Sequence, residues 1–390
     1  MDLKTPNANS IKGKNIIVRL DLNTQEVDTI NYRFLSTKET ISYLLKNKAK
    51  TIIVLAHLGR PEKDKHSLKI NDFDYYNEKL SLKKLKVILS KIYKTKVFFF
   101  KHSVYSDKFE KYFSSKKLPR IILLENIRFY KGEGDNDKEL AKIVGNVGEL
   151  FVDDAFSVSH RKVMSNNAIC KVLPSFYGFN YIKEIKNLNK VVSRSKNNLA
   201  VIIGGAKIQD KIDLVLKFAK NSKYVLIGGG VANSFLYSMG CEVGKSIYED
   251  ISNINFKKLD FSKVLLPVDV KVINQFGIVD SKMCADVDFK DMILDIGDLA
   301  IQEFISKIKE CNYVFWNGPV GYMHDDRFAN GTRSILNFIK NDTKRKYVLG
   351  GGETLESISL FAPSIFKQKN VFVSTGGGAM LWYLSKKIKK

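Results

Sequence analysis

Cysteine is scarce: Cys170, Cys241, Cys284 and Cys311 are the only four in 390 residues, and they lie far apart with no C-x-x-C pair. Neither a zinc site nor a disulfide framework is indicated, and a reducing compartment fits. Apolar runs such as 52-IIVLA-56 fall far short of the roughly 20 residues that a membrane span needs. The opening stretch, MDLKTPNANSIKGKN, lacks the apolar core of a signal peptide, so the expectation is a cytoplasmic protein with no membrane partner. Low-complexity segments and short-period repeats are missing as well. Neither the Walker A pattern nor G-x-G-x-x-G occurs, which argues against a P-loop enzyme and a standard dinucleotide dehydrogenase.

Acidic residues are the minority, 41 against 64 Lys and Arg, for a net charge of +23. Such a balance favours anionic ligands without choosing among them. Lysine-rich stretches such as 183-KEIKNLNK-190 and 386-KKIKK-390 are spread along the chain, which reads as a solvated surface with no specific nucleic-acid partner expected. The length exceeds the roughly 250–300 residues at which one core stops growing, so two domains are expected. The 44% hydrophobic content can fill both.

Short β-branched runs bounded by polar turns alternate with longer amphipathic stretches: 15-NIIVRL-20, 51-TIIVLA-56, 97-VFFF-100, 120-RIILLE-125 and 150-LFVDD-154. This is the βα alternation of a parallel sheet. It pauses over residues 179–196, where Ile182, Ile185 and Leu188 recur at helical spacing among charges, and an exposed interdomain helix is predicted there. It resumes with 199-LAVIIGG-205, 224-YVLIGGG-230, 263-KVLLPVDV-270, 313-YVFWNGP-319, 347-YVLGGG-352 and 371-VFVSTGGG-378. The pattern predicts an α/β protein of two doubly wound, Rossmann-like parallel-sheet domains, residues 1–178 and 197–375, followed by a C-terminal segment 376–390.

Ligands of open α/β sheets sit beyond the carboxyl ends of the strands. In the first half those ends carry Arg19, Asp21 and Asn23 with Arg33 beyond, then His57 and Arg60, then Arg128, then His160 and Arg161. Arg33, Arg60, Arg128 and Arg161 with His57 are expected at one mouth, where the planar guanidinium fork suits carboxylate and phosphate alike.

In the second half, 204-GG-205, 228-GGG-230, 350-GGG-352 and 376-GGG-378 let backbone N–H groups approach a ligand, and each leads into a predicted helix. Lys207 and Lys211, four apart in 206-AKIQDKIDLVLKFAK-220, are expected on one face of a helix start, where two cations oppose the macrodipole until a polyphosphate arrives. Glu353 and Thr354 in 350-GGGETLES-357 open a helix where a carboxylate can hold Mg²⁺. Asn317 in 316-WNGPVG-321 can touch nucleotide phosphates or base, whereas Trp316 reads as packing.

These segments, in this order, resemble the phosphoglycerate kinase family over nearly the whole chain. VRLDLN, HLGRP, LLENIRFYKGE, DDAFSVSHR, GGAKIQDKI, IGGGVANSFL, LPVD, WNGPVG, GGGET and STGGGA each correspond to a family signature. The resemblance implies reversible phosphoryl transfer between 1,3-bisphosphoglycerate with ADP and 3-phosphoglycerate with ATP, in glycolysis. It implies that Asp21, Asn23, Arg33, His57, Arg60, Arg128 and Arg161 hold 3-phosphoglycerate. Gly205, Lys207, Lys211, Gly229, Asn317, Gly351, Gly352, Glu353 and Thr354 would surround the nucleotide, with Arg33, Lys207 and Lys211 catalytic and Glu353 the ligand of Mg²⁺. A monomer that closes about a hinge, with its C-terminus packed back on the N-terminal domain, is implied too. The chain departs from the family in the short loop between Asn23 and Arg33, in Ser157 and Val158, and in its tail. It also carries His324 where the family has an acidic ribose contact, leaving Asp325 as a substitute, and Glu353 in place of Asp. Read from the residues alone, another nucleotide-dependent phosphotransferase and a non-catalytic polyanion binder remain as alternatives.

Overall fold

The computed structural model describes residues 3–24, 32–115, 117–193, 198–252, 254 and 259–388. The loop following Asn23 therefore lies mostly outside the described residues. The chain divides into two compact units, Met1–Ile185 and Lys186–Lys390.

The first unit is built on β1 (Asn15–Arg19), β2 (Thr51–Leu55), β5 (Val97–Phe99), β6 (Ile121–Leu123), β7 (Leu150–Asp153) and β8 (Ser175–Tyr177), with β3 (Leu68–Ile70) and β4 (Phe73–Tyr76) forming a separate antiparallel hairpin. The six run parallel in the order β5-β6-β2-β1-β7-β8. Both faces of the sheet are covered, which is why its strands read as continuous aliphatic runs. Successive residues alternate between two cores: Ile16, Val18, Ile52 and Val54 pack on one face, Ile17, Ile53 and Leu55 on the other. Register pairs Ile16 with Ile52 and Ile17 with Ile53, so each layer is continuous across the sheet.

The second unit repeats the plan with β9 (Leu199–Ile203), β10 (Tyr224–Ile227), β11 (Val264–Leu265), β15 (Tyr313–Asn317), β16 (Lys346–Gly350) and β17 (Val371–Ser374), parallel in the order β11-β10-β9-β15-β16-β17. It adds a three-stranded antiparallel sheet of β12 (Asp269–Ile273), β13 (Val279–Met283) and β14 (Met292–Ile296), in the order β13-β12-β14. The stretch 263–270, expected as one strand, is thus two pieces in different sheets. Pro267 has no N–H to give a ladder, and the chain leaves the parallel sheet there.

The helix expected over 179–196 spans Phe179–Ser193, and residues 194–197 lie outside the described set. It is not an exposed rod, because Tyr181, Ile185, Leu188 and Val191 are buried at helical spacing. Its first turn is satisfied by Thr40 Oγ1, which accepts from the Phe179 N–H at 2.9 Å, and by Asp154 Oδ1, which accepts from Tyr181 at 3.1 Å. The boundary between the units falls within this helix. The final helix, Gly377–Lys387, belongs to the second unit and packs on the helix Gln209–Asn221, burying Ala379, Met380 and Leu384. Lys217 Nζ donates to the Ser385 carbonyl, and Tyr383 Oη donates to Asn189 Oδ1 at 2.8 Å.

Candidate active site

In the first unit the four adjacent central strands β6, β2, β1 and β7 all deliver polar residues at their carboxyl ends. β1 ends in Arg19 and leads to Asp21, which is buried and accepts from Arg33 Nη1 with one oxygen and from the Asn23 N–H, at 3.2 Å, with the other. Arg33 projects from the short helix Tyr32–Ser36. Asn23 Oδ1 accepts from the Gly59 N–H at 2.8 Å, and the Gly59 carbonyl accepts from Arg128 Nη1 at 2.5 Å. Three loops are therefore stitched together by the side chains of Asn23 and Arg128. His57, only 3% exposed, lies 2.7 Å by its Nδ1 from Arg19 Nη2. Burial, followed by the charges of Arg19, Arg128, Arg33 and Arg161, holds its pKa well below the usual imidazole value. Burial likewise pulls Arg128 down to about 10, helped by Arg161 and Arg19. Arg60 and Arg161 are exposed, and Arg161 Nε donates to His160 Nε2 at 3.2 Å. The result is a cluster of cations around His57, in which Arg128 is opposed by the charges of Arg161 and Arg19 while Arg33 is paired with Asp21.

In the second unit the turns after β9, β10, β15 and β16 converge. Gly205, at φ +83°, donates its N–H to the Pro319 carbonyl at 2.6 Å. A Cβ there would stand 2.8 Å from both Glu353 Oε2 and Lys211 Nζ, so the carboxylate, the ammonium and the glycine backbone meet at one point. The Gly229 N–H donates to the Val320 carbonyl at 2.9 Å. Asn317 is buried and ties β15 to β16 by donating from Nδ2 to the Gly350 carbonyl at 2.8 Å. Thr354 Oγ1 accepts from the Gly318 N–H at 2.8 Å, holding the next turn. Gly351, at φ +109°, and Gly352 lead directly into the helix Gly352–Phe361, whose first turn carries Glu353. Beside these turns lies a cavity of about 180 Å³, walled by Ile247, Pro267, Val270, Ile293, Val320 and Met323 and reached by Glu353 and His324. It is a narrow apolar slot with glycine backbone and charge at its mouth, the form expected of a site for a flat ring bearing phosphates.

Two local expectations fail. The helix after β9 starts at Gln209, so Lys207 stands outside it and is exposed, while Lys211 in its first turn is buried and donates from Nζ to the Gly204 carbonyl. The two lysines do not share a helix face. Asp325, the expected substitute at the ribose end, is taken by Arg327, which donates from Nη2 to Oδ2 at 2.7 Å and from Nε to both oxygens at 3.1 Å. Asp325 caps the turn Asp326–Phe328, and it is His324 that reaches the slot, with its Nδ1 3.8 Å from Glu356 Oε1.

A family model described as phosphoglycerate kinase matches residues 7–387. The chain belongs to the phosphoglycerate kinase family. Among relatives, the phosphoglycerate kinase of Wigglesworthia glossinidia brevipalpis is 35% identical over 385 residues, 97% of this chain and 92% of that protein. The phosphoglycerate kinase of Wolbachia sp. subsp. Drosophila simulans (strain wRi) is 33% identical, over 96% and 94%. The solved phosphoglycerate kinase of Coxiella burnetii superposes with a TM-score of 0.76 at 28% identity, covering 96% of this chain and 94% of that one. The phosphoglycerate kinase of Pyrococcus horikoshii OT3, at 23% identity and a TM-score of 0.79, shares the fold. The chain is thus a phosphotransferase with a place in glycolysis.

Several residues that shape this kinase's pockets were missed as site residues. In the sequence Arg19 reads only as a strand-end residue, yet it is fully buried and touches His57. Ser165 Oγ accepts from Arg19 Nε at 2.8 Å and donates to Glu133 Oε1 at 2.7 Å; burial raises the Glu133 carboxyl, and Arg19 opposes that rise. Asn126 holds the β2 and β6 loops together through the Leu58 carbonyl at 2.8 Å and the Leu80 carbonyl at 3.0 Å. Asp295 lines the apolar slot, with its pKa pushed up to about 7 by burial. These residues carry no sequence signal of their own, since each acts by touching a residue distant in the chain.

Proposed function

We propose that the first unit holds 3-phosphoglycerate or 1,3-bisphosphoglycerate and the second holds ADP or ATP, with the phosphoryl group passed in line and without a phosphoenzyme. The observation that carries this reading is the cluster of cations at the ends of β6, β2, β1 and β7, where Arg33, Arg128 and Arg161 all bear on a buried His57. Such a cluster is relieved by a small polyanion whose carboxylate and phosphate oxygens accept from paired guanidinium N–H groups. Asp21 and Asn23 orient Arg33 and the Gly59 loop, and Arg60 stands at the rim. In the second unit, Gly205, Gly229, Gly351 and Gly352 offer close backbone approach, Lys207 and Lys211 supply charge, and Asn317 and Thr354 set the turns. The apolar slot takes the base.

Mg²⁺ fits this arrangement. Among the described residues no group of three or more His, Cys, Asp or Glu could hold a metal, but Glu353 presents one half-buried carboxylate at the glycine turns. One carboxylate with the nucleotide's own oxygens is how Mg²⁺ is commonly held, and the ion supplies charge neutralisation on those oxygens. The protein's part is placement: Arg33 and Lys207 are the cations assigned to the moving phosphoryl group, and Lys211 assists on the nucleotide phosphates. Because each unit holds its own ligand, transfer requires a closing motion, and hinge bending belongs to the proposal. A cytoplasmic monomer is the form that family membership supports.

A coupled assay of ATP-dependent phosphorylation of 3-phosphoglycerate, with GTP run alongside, tests the reaction. Arg128→Met should raise KM for 3-phosphoglycerate while leaving nucleotide KM unchanged. A change confined to nucleotide KM would overturn the assignment of ligands to units.

A further inference from the structure

We propose that Arg19 is a positioning residue for the transfer reaction: it locks His57 as a neutral imidazole with its proton on Nε2, so that His57 meets the anionic substrate as a fixed hydrogen-bond donor. This rests on the reading that His57 faces 3-phosphoglycerate. The constraint comes from the guanidinium. It has five N–H donors and no acceptor, and with an ordinary pKa above about 12 it stays charged at neutral pH. A nitrogen 2.7 Å from Arg19 Nη2 is therefore an acceptor, so His57 Nδ1 carries no proton and Nε2 must.

Arg19 is itself immobilised. Nη1 donates to the Leu20 carbonyl at 2.7 Å and Nε donates to Ser165 Oγ at 2.8 Å, so bonds in three directions fix the plane of the fork. Behind it, Ser165 donates from Oγ to Glu133 Oε1 at 2.7 Å and from its N–H to Oε2 at 3.0 Å. Arg19, Ser165 and Glu133 are all buried, so the chain of Glu133, Ser165, Arg19 and His57 is shielded from bulk solvent. Burial lowers the Arg19 pKa, and the nearby carboxylates of Glu133, Asp153 and Asp21 counter that fall.

The charges that bear most on His57 are those of Arg19, Arg128, Arg33 and Arg161, all positive. A second proton on the ring would add a fifth cation to this group. A neutral Nε2–H adds a directed bond to the substrate without adding to the repulsion left when the substrate departs. The network thus separates two jobs: arginines supply charge, and His57 supplies direction.

The test is histidine ¹⁵N spectroscopy on the full-length protein, with His57 assigned by its loss in His57→Gln. In the free wild type, Nδ1 should resonate as an unprotonated acceptor and Nε2 as N–H from about pH 8 to about pH 5. In Arg19→Met the ring should show both tautomers or titrate near its ordinary value. KM for 3-phosphoglycerate should rise about tenfold with nucleotide KM unchanged. If Arg19→Met does not fold, the wild-type spectra still decide. A protonated Nδ1, or a ring that becomes cationic in the physiological range, overturns the lock. If the tautomer is as stated but adding 3-phosphoglycerate leaves the Nε2 signal unmoved, the assignment of His57 to the substrate fails, and the role given to Arg19 fails with it.

Discussion

Lys207 and Lys211 were equivalent in the sequence and are not equivalent in the fold. Lys211 is buried against the Gly204 carbonyl, whereas Lys207 is exposed beyond the helix start and has no hydrogen-bond or ion-pair partner among the described residues. Lys207→Ala should therefore leave the melting temperature near wild type and lower kcat by at least about a hundredfold, the cost of one preorganised electrostatic donor. Steady-state kinetics at saturating substrates checks it, and a kcat within tenfold of wild type would make Lys207 a bystander. Lys211→Ala should instead destabilise the fold by about 1–3 kcal/mol, because a buried carbonyl loses its charged donor. Denaturant titration distinguishes the two lysines. Asp325→Ala should leave nucleotide KM unchanged, since that carboxylate is committed to Arg327. A several-fold rise would return Asp325 to the ribose end of the slot.

At the scale of elements, the pockets are made by loops that hold one another. Asn126 is fully buried in the loop after β6; its Oδ1 accepts from the Arg128 N–H at 3.1 Å and its Nδ2 donates to the Leu58 and Leu80 carbonyls. Asn126→Leu keeps the size and removes every one of these bonds. It should cost at least about 2 kcal/mol of stability and raise KM for 3-phosphoglycerate, because His57, Gly59 and Arg128 lose their common tie. Paired measurement of denaturation midpoint and KM tests this, and a change in stability alone would show that the loops keep their shape without Asn126. The corresponding tie in the second unit is Thr354, which joins the Gly318 turn to the helix of Glu353.

For the whole molecule, the buried carboxyls set a pH dependence. Asp153 is pushed up to about 6, and Asp154 and Asp295 to about 7, in each case first by burial. In the unfolded chain an Asp titrates near 3.9, at about the ordinary value. Between these values the folded state keeps a proton that the unfolded state has lost. The stability from this source is fully present below about pH 4 and is lost as pH rises through about 7. His57 acts with the opposite sign, since its folded pKa is depressed and its contribution fades as pH falls below the ordinary imidazole value. Comparing wild type with Asp295→Asn isolates one term. The wild-type advantage should shrink on going from about pH 5 to about pH 7, by at most about 1.4 kcal/mol per unit. Urea denaturation across that range checks it, and parallel pH profiles for the two proteins would refute it.

Periodicity and strand-end chemistry were enough to read the two parallel sheets, because a strand buried on both faces must be a continuous aliphatic run and its carboxyl end must carry the ligand groups. The basic residues Arg33, His57, Arg128 and Arg161 and the glycine turns at 205, 229 and 351 were legible in that way. The antiparallel sheet of β12, β13 and β14 was not, since β13 (VDSKM) and β14 (MILDI) carry polar residues where a strand buried on both faces would be aliphatic, and Pro267 blurs where β11 ends and β12 begins. Nor could the sequence tell that Lys207 falls two residues before its helix, or that Asp325 is claimed by Arg327. Those outcomes turn on a helix start and a local hydrogen bond. The largest gap is the chain from Glu133 through Ser165 and Arg19 to His57, whose members are 32, 146 and 38 positions apart. Only tertiary folding could decide it, because a buried polar group takes whatever partner the packing brings within hydrogen-bond reach.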